Sequence, residues 1–88
     1  MDDTTILDRL LTLFEQYAPR AALVGRPPDE VHLQHLHISS AEMINLVVEI
    51  EDTFELEVRD EYVHTLVTLG DVVRAVAARL PRDATPGP

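Results

Sequence analysis

Eighty-eight residues suffice for one domain with one modest core, and the 45% of them that are apolar exclude wholesale disorder. Two Tyr, two Phe and no Trp make that core aliphatic, and the absence of cysteine excludes disulfides and thiolate metal sites. Sixteen acidic residues against seven basic ones leave a net charge of −9, which sets the chain against nucleic acid and anionic membrane and favours partners with basic patches.

No apolar run approaches the length of a membrane span. Met1-Asp2-Asp3 is acidic where a secretory signal would be basic. A soluble, cytoplasmic monomer is the expectation.

The first helix is predicted over Thr5 to Tyr17. Ile6, Leu7, Leu10, Leu11, Phe14 and Tyr17 recur at helical spacing, Thr5 with Asp8 forms a loose capping box, and Pro19 ends the run. A long loop is predicted from Ala18 to Ile38, since Pro27-Pro28 cannot lie inside a helix. Loops of this length are often functional. Val31, Leu33, Leu36 and Ile38 are expected to pin its end across the helices.

The second main helix is predicted from Ser40 to about Phe54. Ser39 is its N-cap, and Glu42 three residues on completes a capping box. Met43, Leu46, Val47, Ile50 and Phe54 form an apolar stripe; Glu42, Asn45, Glu49 and Asp52 form a polar one. Glu55 to Val58 alternates like a strand but has nothing to pair with, so an extended connector is expected, with Leu56 and Val58 tucked inward. Asp60 is expected to cap a short helix through Leu66. Thr68 and Asp71 form another capping box, opening a last helix that buries Leu69, Val72, Val73, Val76 and Leu80 and stops at Pro81. One domain over 1–81 follows, with a disordered tail over 82–88. The fold class is all-α: a small four-helix bundle of three main helices and one short one, with a long loop after the first helix.

Two adjacent serines at a helix start have different roles. If Ser39 caps the helix, its hydroxyl is engaged by a backbone N–H, and Ser40 is left as the first helical residue with a hydroxyl free to face solvent. The free N–H groups and the positive dipole end there would favour a phosphodiester on Ser40. Taken alone, the pair is more often the signature of a plain cap.

The run Ser40-Ala41-Glu42-Met43-Ile44-Asn45-Leu46-Val47-Val48-Glu49-Ile50-Glu51-Asp52-Thr53-Phe54 resembles the second helix of acyl carrier proteins: a serine, an amphipathic acidic helix, then an acid-rich turn and Phe. Glu55-Leu56-Glu57-Val58-Arg59-Asp60-Glu61 resembles that family's link into a short third helix, and Thr68-Leu69-Gly70-Asp71-Val72-Val73 the start of its last helix. The resemblance implies a discrete carrier with no catalysis of its own. It implies a 4'-phosphopantetheine arm on Ser40, installed by a phosphopantetheinyl transferase and holding biosynthetic intermediates as thioesters. It also implies docking of acyl-loading and acyl-transferring enzymes through Ser39, Ala41, Glu42, Ile44, Val48, Glu49 and Asp52. The family's usual Asp-Ser-Leu reads Ser39-Ser40-Ala41 here, and His37 stands where a Gly is usual. These departures imply a specialised polyketide, nonribosomal peptide or related antibiotic pathway over housekeeping fatty acid synthesis. The rival is an unmodified acidic helical adaptor that docks a basic partner.

His32, His35 and His37 fall in one loop, but with no cysteine nearby and only Asp29 and Glu30 as carboxylates no metal site is expected. A serine hydrolase is not expected either: no Gly-flanked serine elbow is present.

Overall fold

The computed structural model describes residues 2–58 and 63–80. Four α-helices occur among them: α1 (Asp3–Phe14), α2 (Arg20–Val24), α3 (Ser40–Phe54) and α4 (Leu69–Arg79), with short 3-10 turns at Pro28–Glu30 and Leu33–Leu36 between α2 and α3. The described residues contain no strand, and the chain is a small helical bundle as the sequence predicts.

Three long helices with one apolar stripe each build the core. Ile6, Leu10 and Phe14 of α1, spaced by four, are essentially inaccessible; Leu46, Ile50 and Phe54 of α3 and Leu69, Val72, Val73 and Val76 of α4 are buried against them. Burying a side chain of this size favours folding by roughly 1.5–3 kcal/mol, which is what makes helices of eleven to fifteen residues stable here.

α1 occupies a different stretch from the predicted one. It begins at Asp3, because Asp2 accepts the Thr5 N–H at 2.9 Å and so caps the helix upstream of the Thr5–Asp8 pair. It ends at Phe14, after which Gln16 and Tyr17 bond back only three residues, to Leu13 and Phe14. Pro19 also disfavours a helical Ala18. The predicted loop over 18–38 is present but is interrupted by α2, for which Pro19 is the N-cap and Leu23 the buried anchor. Arg20 pairs with Glu15 across this junction.

The end of the loop is pinned as expected. Val31, Leu33 and Leu36 are buried, and Ile38 packs partly against the core. The Leu33 N–H donates to the Val67 carbonyl and the Leu69 N–H to the Val31 carbonyl, each at 2.9 Å, pairing His32 antiparallel to Thr68. Beside this bridge Arg74 donates to Asp29 at 2.9 Å and to Asp71 at 2.8 Å. Gly70 permits that approach: a Cβ there would stand 1.9 Å from Asp29 Oδ1.

Two of the three predicted capping boxes form, Ser39 with Glu42 and Thr68 with Asp71, while Asp2 takes the α1 cap in place of the Thr5–Asp8 pair. Thr68 Oγ1 accepts from the Asp71 N–H at 3.1 Å, and Asp71 returns an acceptor to the Thr68 N–H at 3.0 Å. Glu55 to Val58 is an irregular connector with Leu56 and Val58 half-buried, and Glu51 accepts the Val58 N–H at 2.9 Å. The predicted short helix from Asp60 to Leu66 lies partly outside the described residues; its described end closes a turn in which the Leu66 N–H donates to Val63. Pro81 and the predicted tail also lie outside them.

Among the described residues two that are not glycine have left-handed backbones: His37, which ends the second 3-10 turn, and Glu55, the C-cap of α3. An L side chain there costs roughly 1–2 kcal/mol that glycine avoids. Glu55 is exposed, so Glu55→Gly should raise the unfolding free energy by about 1 kcal/mol in urea titration.

Asp71 supplies a second expectation. The backbone N–H groups of Val67 and Thr68, and then the Arg74 guanidinium, lower its carboxyl from 3.8 to about 2. A carboxyl whose pKa is lower folded than unfolded favours the fold where it is ionised, and this contribution fades as pH falls from about 4 through about 2. Asp71→Asn should therefore be less stable than the parent near neutral pH, with the gap closing over that acid window in pH-resolved urea melts.

Candidate functional site

The first turn of α3 sorts the two serines. Ser39 has an extended backbone and caps the helix: its Oγ accepts the Glu42 N–H at 3.1 Å, while Glu42 Oε1 accepts the Ser39 N–H at 3.0 Å. Ser40 is the first helical residue, is exposed, and is not needed for the cap. Its hydroxyl sits where the first N–H groups of α3 point outward and where the helix dipole is positive.

Beneath it an apolar cavity of about 440 Å³ runs between α3 and the segment before α4, reached by Ser40, Ile38, Met43, Val47, Val63 and Leu66. A second cavity of about 400 Å³ shares Met43, Val47 and Val63 with the first and extends to Glu51 and Val58. Gln34 is the polar group contributed from the loop side and His64 the one from the α4 side. Sequence reading singled out neither, because nothing in local spacing tells that the residues around 34 and 64 meet under α3.

Apart from the capping Ser39, the residues assigned to docking divide into two groups. Ala41, Ile44, Val48 and Asp52 are spaced by three, four and four, share one stripe of α3, and are all exposed. Ile44 is 65% and Val48 49% exposed, so neither belongs to the core. Glu42 and Glu49 are half-buried and turned to neighbours. Glu42 closes the cap. Glu49 Oε1 accepts from the Tyr17 hydroxyl and from Gln16 Nε2, each at 3.4 Å, and so joins α3 to the end of α1. Burial first and the Glu49 charge second push the Tyr17 phenol up from its usual value. Periodicity placed Glu49 on the polar side of the helix but gave no sign of the Tyr17 contact, which depends on where α1 ends.

The three loop histidines do not converge as a set. The His32 and His35 rings lie 5.3 Å apart and tilted by 43°, while His37 takes the left-handed turn beyond them. No group of three or more His, Cys, Asp or Glu that could hold a metal ion occurs among the described residues. No helix among them is long and apolar enough to cross a membrane.

No protein-family model matches the chain, and no solved structure matches it. The acyl carrier protein of Beutenbergia cavernae is 38% identical to it over 58 residues, covering 60% of this chain and 71% of that protein. The similarity to that relative and the helical bundle agree: this chain belongs to the acyl carrier protein family.

Proposed function

We propose that the protein is a carrier, modified on Ser40 with a 4'-phosphopantetheine arm and serving a specialised polyketide, nonribosomal peptide or related antibiotic pathway. The observation that carries this reading is the exposed Ser40 at the first position of α3, left uncommitted because Ser39 makes the cap.

The residues present fit the group. The serine is exposed, and a phosphodiester on it would adjoin the positive end of the α3 dipole. In the attachment step Ser40 Oγ forms a bond to the phosphorus of coenzyme A that bears the pantetheine. The bond from that phosphorus to the nucleotide breaks, and the Oγ proton leaves with the transferase's base. When attached, the arm supplies a terminal thiol on which an acyl or aminoacyl group is held as a thioester. The chain itself contributes position: it anchors the cargo at high effective concentration beside whichever enzyme is docked.

Docking falls to the exposed stripe of Ala41, Ile44, Val48 and Asp52, with Ser39 at its upper edge and Glu42 and Glu49 beside it. The net charge of −9 favours enzymes with basic patches and speeds their encounter. The partners are a phosphopantetheinyl transferase and acyl-loading and acyl-transferring enzymes, met in the cytoplasm.

A second reading is favoured by one feature. Ser39 and Ala41 both depart from the family's usual neighbours of the modified serine, so an unmodified adaptor docking a basic partner would use the same exposed stripe.

Intact mass spectrometry after incubation with coenzyme A and a broad-range phosphopantetheinyl transferase distinguishes the two. One pantetheine adduct is expected, lost in Ser40→Ala and kept in Ser39→Ala. An unmodified parent chain means an adaptor, and loss only in Ser39→Ala moves the site by one residue. The two serines should also separate in stability. Ser39→Ala removes the cap and should cost about 1 kcal/mol in urea unfolding, whereas Ser40→Ala should change it by less than about 0.5 kcal/mol.

A further inference from the structure

His32 and His35 stand apart from everything above. His32 is the N-cap of the second 3-10 turn and His35 lies within it. With three residues per turn, positions three apart eclipse, and the His35 N–H donates to the His32 carbonyl at 3.0 Å. The turn is anchored by buried Leu33 and Leu36 and by the pairing of His32 with Thr68. The two rings are therefore presented side by side from a fixed backbone, His32 half-buried and His35 exposed.

Their separation has a chemical meaning. With metal–nitrogen bonds of about 2.1 Å, each imidazole centre lies about 3.2 Å from the metal, so two centres stand about 4.5 Å apart at a right angle and about 5.2 Å at the tetrahedral angle. The observed separation is 5.3 Å. We propose that His32 and His35 form a two-imidazole chelate for a late first-row divalent cation.

No third His, Cys, Asp or Glu among the described residues completes a set, so water fills the other positions and the site is open and exchangeable. Imidazole ligands suit copper, nickel and zinc, with Cu²⁺ held most tightly. The net charge of −9 raises the local concentration of any such cation. Binding to the folded turn, and not to the unfolded chain, raises thermal stability by mass action. Two histidine rings at this distance also make a tilted aromatic contact without any metal, and that outcome is separable.

The probe is Zn²⁺ alone, added to the untagged full chain and followed by imidazole NMR and calorimetry. The His32 and His35 ring signals should move together and saturate near one equivalent, with Tm rising. His35 is exposed and can be replaced without opening the core, which circular dichroism would confirm. His35→Asn should weaken Zn²⁺ binding by roughly a hundredfold, because the second ligand of a chelate binds intramolecularly; His37→Asn should leave it unchanged. The proposal is overturned if the two rings do not respond, if all four histidines of the chain respond alike, or if His35→Asn binds Zn²⁺ as tightly as the parent.

Discussion

The hydrogen bond from the Glu42 N–H to Ser39 Oγ determines how the start of α3 is used. Two neighbouring serines compete there for one structural role, and the one that takes it is held by its own backbone and by the returning Glu42 carboxylate. Because the cap is reciprocal, the helix cannot start one residue later without leaving two donors unmet. Ser40 is thereby fixed as the first helical residue, outward-facing and with no capping duty. Its exposure follows from the chemistry of its neighbour as much as from its own position.

A second constraint keeps that helix start where it is. The chain between α1 and α3 holds only short helical pieces, and it is tied to the head of α4 by two backbone hydrogen bonds and to its flank by Arg74. Asp71 serves three partners at once: the Thr68 N–H that it caps, the Val67 N–H before it, and the Arg74 guanidinium that reaches on to Asp29. The ion pairs are exposed and individually worth little. Their effect is in placement, since Gly70 lets Asp29 close against α4 and so sets the path on which Leu33 and Leu36 enter the core.

What was legible in the sequence was what local side chains specify. Ser39 with Glu42 and Thr68 with Asp71 announced the starts of α3 and α4 because each box is closed within four residues. The stripes Ile6-Leu10-Phe14 and Leu46-Ile50-Phe54 announced the core because period alone assigns a face. The start of α1 lies upstream of the predicted Thr5, because the Asp2 carboxylate takes the Thr5 N–H and caps the helix there. α2 was invisible because five residues are too few for a periodic signal. The Tyr17–Glu49 contact, the cavity beneath Ser40 and the positive φ of His37 depend on how separate segments meet, which no spacing encodes.

The distribution of acid on α3 bears on the proposed docking face. By spacing alone Glu42, Glu49 and Asp52 look equivalent. In the fold Glu42 completes a cap and Glu49 braces α1, so only Asp52 shares the exposed stripe with Ile44 and Val48. A partner that drew Glu42 or Glu49 into an ion pair would have to compete with those bonds, whereas contact with Ile44 and Val48 disrupts nothing. Charge screening acts over about 8 Å at physiological salt, so in the proposed docking the overall charge of −9 would guide approach and the apolar pair would decide the close fit. For the proposed carrier role, in which each docked enzyme would be released after transfer, that division would suit fast encounter with a small, readily broken apolar contact.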